Sequence, residues 1–150
     1  MPHIVEVDQS NKVEDSGDTF LAFSNEISWS IKVPFRVKQA ALQALRDQGK
    51  PSKRAKLLLF AACVFLLLED HLEQLQRITI DNEYDGRESD VKSFLFEYIK
   101  RQNPGFRIET IDVRSIGKKS NAHYLAWTAH TGRGRVDKTI SEKELLAVVA

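Results

Sequence analysis

The sequence predicts an α/β fold: a mixed five-stranded sheet, made of a three-stranded antiparallel meander plus two parallel strands, with helices on both faces. Three observations lead there. Ile27, Trp29, Ile31 and Val33 alternate with Ser28, Ser30 and Lys32, which is the period of a half-buried strand. From Val37 the period changes, and Val37, Ala41, Ala44 and Leu45 recur at helical spacing. Beyond residue 76 short β-favouring runs alternate with helical ones, the pattern of parallel strands joined by helical crossovers.

The elements follow in order. His3 to Asp8 is an extended run of Val and Ile, and the polar stretch Gln9 to Asp18 closes a loop with a turn near Gly17. Thr19 to Phe23 and Ile27 to Val33 complete the meander. The first helix stops at Gly49, and Ser52 can cap a longer one reaching about Leu75. Arg77 to Asp81 is a brief strand. Ser89 can cap a helix whose stripe is Val91, Phe94, Leu95 and Tyr98, with Pro104-Gly105 as its stop. Phe106 to Val113 is the fifth strand. Ser120 caps a helix to about His130, and Ser141-Glu142-Lys143-Glu144 is a capping box that opens a C-terminal helix.

Composition narrows the function classes. The 150 residues suit one domain, 1–150, and no Pro/Gly/Ser-rich linker divides them. Twenty-two Lys and Arg against 21 Asp and Glu leave a net charge of +1, so any basic surface must be local. One cysteine, Cys63, excludes an internal disulfide and a Cys-rich zinc site, and its apolar helix makes it an inert core thiol. The N-terminus has no basic patch followed by an apolar run, and the expectation is a cytoplasmic protein. Leu57 to Leu68 is the greasiest run, but a bilayer needs about 20 residues, so the reading is a buried helix and no membrane role. No phosphate-loop, dinucleotide, zinc-protease or nucleophile-elbow motif is present, and Gly132-Arg133-Gly134 is too short to be one.

Several residues could carry chemistry. Asp8 and Asp81 each end a strand, where a carboxylate either binds a metal or accepts amides of the following turn. Glu83 lies two residues beyond Asp81, in a stretch rich in acids that a solvated loop would also explain. His123 sits with Trp127 and His130 beside a narrow stripe of Ala122, Leu125, Ala126 and Ala129, so it is either a ligand or a histidine at the edge of a packed face. Lys118 and Lys119 precede that helix, and Arg133 and Arg135 follow it. They are either contacts for nucleic-acid phosphates or solvated charges. Lys50, Lys53, Arg54 and Lys56 read as a solubilising flank of the apolar helix.

With Asp8-Gln9-Ser10 ending strand one, Ile-Thr-Ile-Asp81 ending strand four and Ser120 to Ala126 opening the last core helix, the order of elements resembles the ribonuclease H-like superfamily. The resemblance covers most of the chain. It implies a sheet ordered 3-2-1-4-5 and a divalent-metal site. Asp8, Asp81 and His123 would be metal ligands and, with Glu83, the catalytic set, with Mg²⁺ or Mn²⁺ as cofactor and DNA or RNA as partner. Two departures stand out: no acid occupies the superfamily's position on the first helix, and two helices rather than one separate strands three and four. Neighbouring strands one and four would bring Asp8 and Asp81 together, and a hard cation relieves the repulsion of close carboxylates. The implied function is a metal-dependent nuclease or related phosphodiester-processing enzyme. The alternative is a non-catalytic α/β module binding protein or nucleic acid, as a homodimer if the apolar helix 57–68 lies in an interface.

Overall fold

The computed structural model describes residues 2–117 and 119–150. Its strands are β1 (His3–Ser10), β2 (Thr19–Asn25), β3 (Trp29–Val33), β4 (Leu75–Asp81), β5 (Ile111–Arg114) and β6 (Lys138–Thr139). Its helices are α1 (Phe35–Asp47), α2 (Ser52–Leu68), α3 (Glu88–Gln102), α4 (Asn121–His130) and α5 (Glu142–Val149).

The sheet runs β5-β4-β1-β2-β3-β6. β1, β2 and β3 pair antiparallel, and β4 lies parallel to both β1 and β5. The expected five-strand order is therefore present, but the described sheet has six strands rather than five. The sixth is two residues long and pairs with Ile31 and Lys32. So short a strand leaves no alternation to read. It is held by a side chain instead: Asp137 accepts a hydrogen bond from the Ser30 amide at 2.8 Å.

Element ends moved for identifiable reasons. α2 stops at Leu68 rather than near Leu75, and a 3-10 turn through Glu69–Gln74 absorbs the charged residues. Neither Ser52 nor Ser89 is a cap: Pro51 precedes α2 with extended backbone, and α3 starts at Glu88. Proline fixes φ without needing a donor, which suits that boundary. β5 begins at Ile111, because Ile108–Thr110 forms a 3-10 turn. The caps expected at Ser120 and Ser141 are both formed, the latter as a full capping box.

The two sheet faces differ. Val5, Val7, Leu21, Phe23, Ile31, Val33, Ile78 and Ile80 point into the main core with α1, α2 and the inner sides of α3 and α5. Every residue from Leu59 to Leu68 is buried there, so the apolar face of α2 is consumed within the chain. At about 25 cal/mol per Å² of apolar surface, burial on this scale is the main stabilising term. No described helix is long and apolar enough to cross a membrane.

The opposite face, carrying Glu6, Asp8 and Ser10, receives α4, which packs on β1 and β2. Ala22, paired with Asp8, is fully buried, as are Ala122 and Ala126, and small side chains on both sides let helix and sheet approach closely. Gly132-Arg133-Gly134 ends α4: the amides of Arg133 and Gly134 donate to the Thr128 carbonyl at 2.9 and 2.8 Å. A Cβ on Gly134 would lie 2.8 Å from the Thr128 Cβ, so only glycine fits.

Candidate metal centre

Strand alternation and helix pitch meet along β1. Glu6, Asp8 and Ser10 share one side of the strand. Glu6 accepts from the Ser120 hydroxyl at 3.0 Å, Asp8 faces His123, and the Ser10 hydroxyl hydrogen bonds His130 Nδ1 at 2.7 Å. His130 also stacks on Phe20, whose ring centroid is 5.3 Å away. These contacts fix α4 at both ends and set His123 over Asp8.

Asp81 comes to the same place from β4. Glu6 is in register with Thr79 and Val7 with Ile80, which puts Asp81 beside Asp8. Its Oδ1 accepts from the Ile116 amide at 3.0 Å. The strand ends at Asp81, so Glu83 does not reach the site by strand alternation. It is carried by the turn that follows: Asn82 donates its amide to the Arg114 carbonyl, and the Tyr84 amide donates to the Asn82 side chain at 3.2 Å. The Lys12 ammonium donates to the Glu83 carbonyl at 3.2 Å.

The result is a trio. Asp8, Asp81 and Glu83 each offer a carboxylate oxygen, and these atoms lie within 4.8 Å of one another, a grouping that could hold a metal ion. Asp8 is only 4% exposed. Its Oδ1 accepts the Gln9 amide at 2.8 Å, and its Oδ2 lies 2.9 Å from His123 Nδ1. With Asp8 ionised and the imidazole neutral, Nδ1 donates to the carboxylate and Nε2 is the ring's acceptor.

Crowding raises the proton affinity of the trio. Burial pushes the Asp8 carboxyl above its ordinary value, against the Gln9 amide and His123, which pull it down. Glu83 is pushed up to about 8, by burial first and then by the charges of Asp8 and Asp81. Near neutral pH the trio therefore keeps a proton in place of a third negative charge. A divalent cation would take over that compensation, with release of the proton. Three oxygen donors suit a hard cation that keeps some of its own waters.

The structure thus brings together all four residues of the expected catalytic set, Asp8, Asp81, Glu83 and His123. His123 contacts Asp8 and is not one of the three clustered oxygens. Among the described residues, no hydrogen bond or ion pair joins Lys119, Arg133 or Arg135 to the trio. Lys119 is exposed just before α4, the Arg133 guanidinium sits 6.0 Å from the Trp127 ring, and Arg135 is paired with Asp137 at 2.7 Å. Lys118 lies outside the described residues. Lys12 beside Glu83 was missed by sequence reasoning; its only signal was a lysine four residues beyond Asp8 in the adjoining loop. The Cys63 thiol is fully buried and pushed up to about 12, which removes it as a nucleophile. Comparisons with protein-family models, with curated proteins and with solved structures found no match.

Proposed function

We propose that the protein is a metal-dependent nuclease, or a related phosphodiester-processing enzyme, on a ribonuclease H-like sheet. One observation carries this reading: two carboxylates from the adjacent ends of parallel strands and a third from the following turn meet on one sheet face, under a histidine from the covering helix. Asp8, Asp81 and Glu83 would hold Mg²⁺ or Mn²⁺. When bound, such an ion supplies a water of lowered pKa and charge stabilisation at the phosphoryl oxygens.

The chain's own residues do the rest. The Gln9 amide and His123 hold both oxygens of Asp8, and the Ile116 amide holds Asp81, so two of the three donors are oriented in advance. His123 Nε2 remains available to accept or pass a proton at the edge of the site. Lys119 and Arg133, which flank the two ends of α4, would contact nucleic-acid phosphates; the charge of Arg135 is largely offset by Asp137.

The test is incubation of labelled single-stranded DNA, duplex DNA, RNA and RNA–DNA hybrid with Mg²⁺ or Mn²⁺. Cleavage of at least one, lost in Asp81→Asn, is expected. Absence of cleavage on all four, or equal cleavage by Asp81→Asn, would refute the proposal.

A further inference from the structure

Glu83 belongs to two places at once. Its carboxylate is part of the trio, and it also forms one wall of a cleft of about 330 Å³ lined by Lys12, Lys53, Lys56 and Arg87. That cleft continues into a second, of about 460 Å³, with which it shares Lys53, Leu57 and Arg87. Arg54 and Phe94 line the second cleft, and the Arg54 guanidinium lies 5.4 Å from the centre of the Phe94 ring. The basic flank of α2, which reads in sequence as a solubilising patch, therefore lines two adjoining clefts, the first of which Glu83 also lines.

The charge balance of this groove is uneven in a particular way. Its acidic residues are held in place: Glu14 accepts from the Tyr84 hydroxyl at 2.8 Å and lies 4.0 Å from the Lys56 ammonium, Asp85 accepts from Asn82 at 3.1 Å, and Asp90 pairs with Arg87 at 3.2 Å. Two of its lysines lack a carboxylate partner. Among the described residues, no carboxylate lies within 4.0 Å of the ammonium of Lys12 or Lys53, and Lys56 reaches Glu14 only at 4.0 Å. Lys12 and Lys56 both lie over the Tyr84 ring, at 5.5 and 5.6 Å from its centre, which spaces two positive charges across the cleft mouth. Basic side chains spread along a groove attract a polyanion, and their spread over two adjoining clefts suits a chain of phosphates rather than a single anion.

We propose that this groove is the track for the sugar–phosphate backbone of a nucleic-acid strand, running from the metal centre over Lys12 and Lys56 toward Lys53 and Arg54. The inference rests on the nuclease reading above, and it names where the strand lies on one side of the scissile bond.

Binding is measured separately from cleavage, by fluorescence anisotropy of a fluorescein-labelled 20-nucleotide single strand in EDTA, at several salt concentrations. Each lysine–phosphate contact on a single strand contributes about 0.7 to the log–log salt slope, or about fivefold in affinity at 0.1 M salt. Lys53→Ala/Lys56→Ala should therefore weaken binding about 25-fold and flatten the slope by about 1.4. Lys53→Ala alone should give about half of each effect on a logarithmic scale, and its exposed side chain makes no hydrogen bond or ion pair among the described residues. Lys100→Ala/Lys143→Ala, which removes the same charge from exposed positions on α3 and α5, should leave affinity and slope within twofold of the unaltered protein. Equal losses in the two double variants, no loss at Lys53, or no binding by the unaltered protein would each overturn the track. If the unaltered protein cleaves with metal while the cleft variants bind normally, the track fails and the nuclease reading stands. If the cleft lysines govern binding but no metal yields cleavage, the nuclease reading fails and the binding groove stands.

Discussion

His123 Nδ1 lies 2.9 Å from Asp8 Oδ2, joining a helix to a strand across 115 positions of sequence. The contact holds the most buried carboxylate of the trio in one rotamer. Partners of this kind typically change metal affinity 10- to 100-fold when removed. His123→Ala is expected to weaken Mn²⁺ binding by about that factor in isothermal titration while leaving the melting temperature of the metal-free protein within a few degrees. His123→Gln, which can still donate, should recover part of the loss.

Asp8→Asn should separate stability from metal binding. The substitution removes the most buried of three crowded carboxyl groups, and the Asn carbonyl can still accept the Gln9 amide. Melting of the metal-free variant is expected at or above the temperature of the unaltered protein. The rise that Mn²⁺ produces in the unaltered protein should be absent, because only a ligand of the folded state stabilises it. A variant that melts several degrees lower without metal would mean that Asp8 is mainly a structural hydrogen-bond acceptor.

The raised proton affinity of Glu83 sets a pH dependence. Its carboxyl titrates near 4.5 in an open chain and near 8 in the fold. Between those values the folded state holds the extra proton, so its contribution to stability is complete below about 4.5 and is lost as pH rises through about 8. Asp8 is shifted in the same direction. Melting of the metal-free protein should therefore decline from pH 5 to 9 relative to Glu83→Gln. Mn²⁺ affinity should move the opposite way, strengthening with pH until Glu83 has lost its proton.

Gly134→Ala tests the seat of α4. The added methyl would press on Thr128 in the last turn of that helix. Overpacking of this kind costs about 1–3 kcal/mol, or roughly 2–12 °C of melting temperature at this chain length. Because His123 is fixed by the same helix, the variant should also bind Mn²⁺ more weakly, measurable by titration. Unchanged melting would mean that the loop relaxes without moving α4.

Much of this was legible because it rests on local rules. The alternation around Trp29 and Ile31, the capping signals at Ser120 and Ser141 and the crossovers after β3 located most elements, and parallel pairing of β1 with β4 placed Asp8 beside Asp81. What escaped was set by long-range contacts. β6 exists because Asp137 finds Ser30, and neither residue carries a strand signal alone. Glu83 enters the site through an Asn82-centred turn, after the strand has ended at Asp81. Lys12 and the α2 lysines look like ordinary solvated charges until the fold sets them along one groove with Glu83.

The most direct test of the central claim is anomalous X-ray diffraction from crystals soaked in Mn²⁺. The account predicts an anomalous peak at a position within about 2.0–2.6 Å of an oxygen from each of Asp8, Asp81 and Glu83, the range for hard cations. The peak should vanish in Asp81→Asn. Crystals that show no peak among these carboxylates at millimolar Mn²⁺, with the trio in the same arrangement, would contradict it.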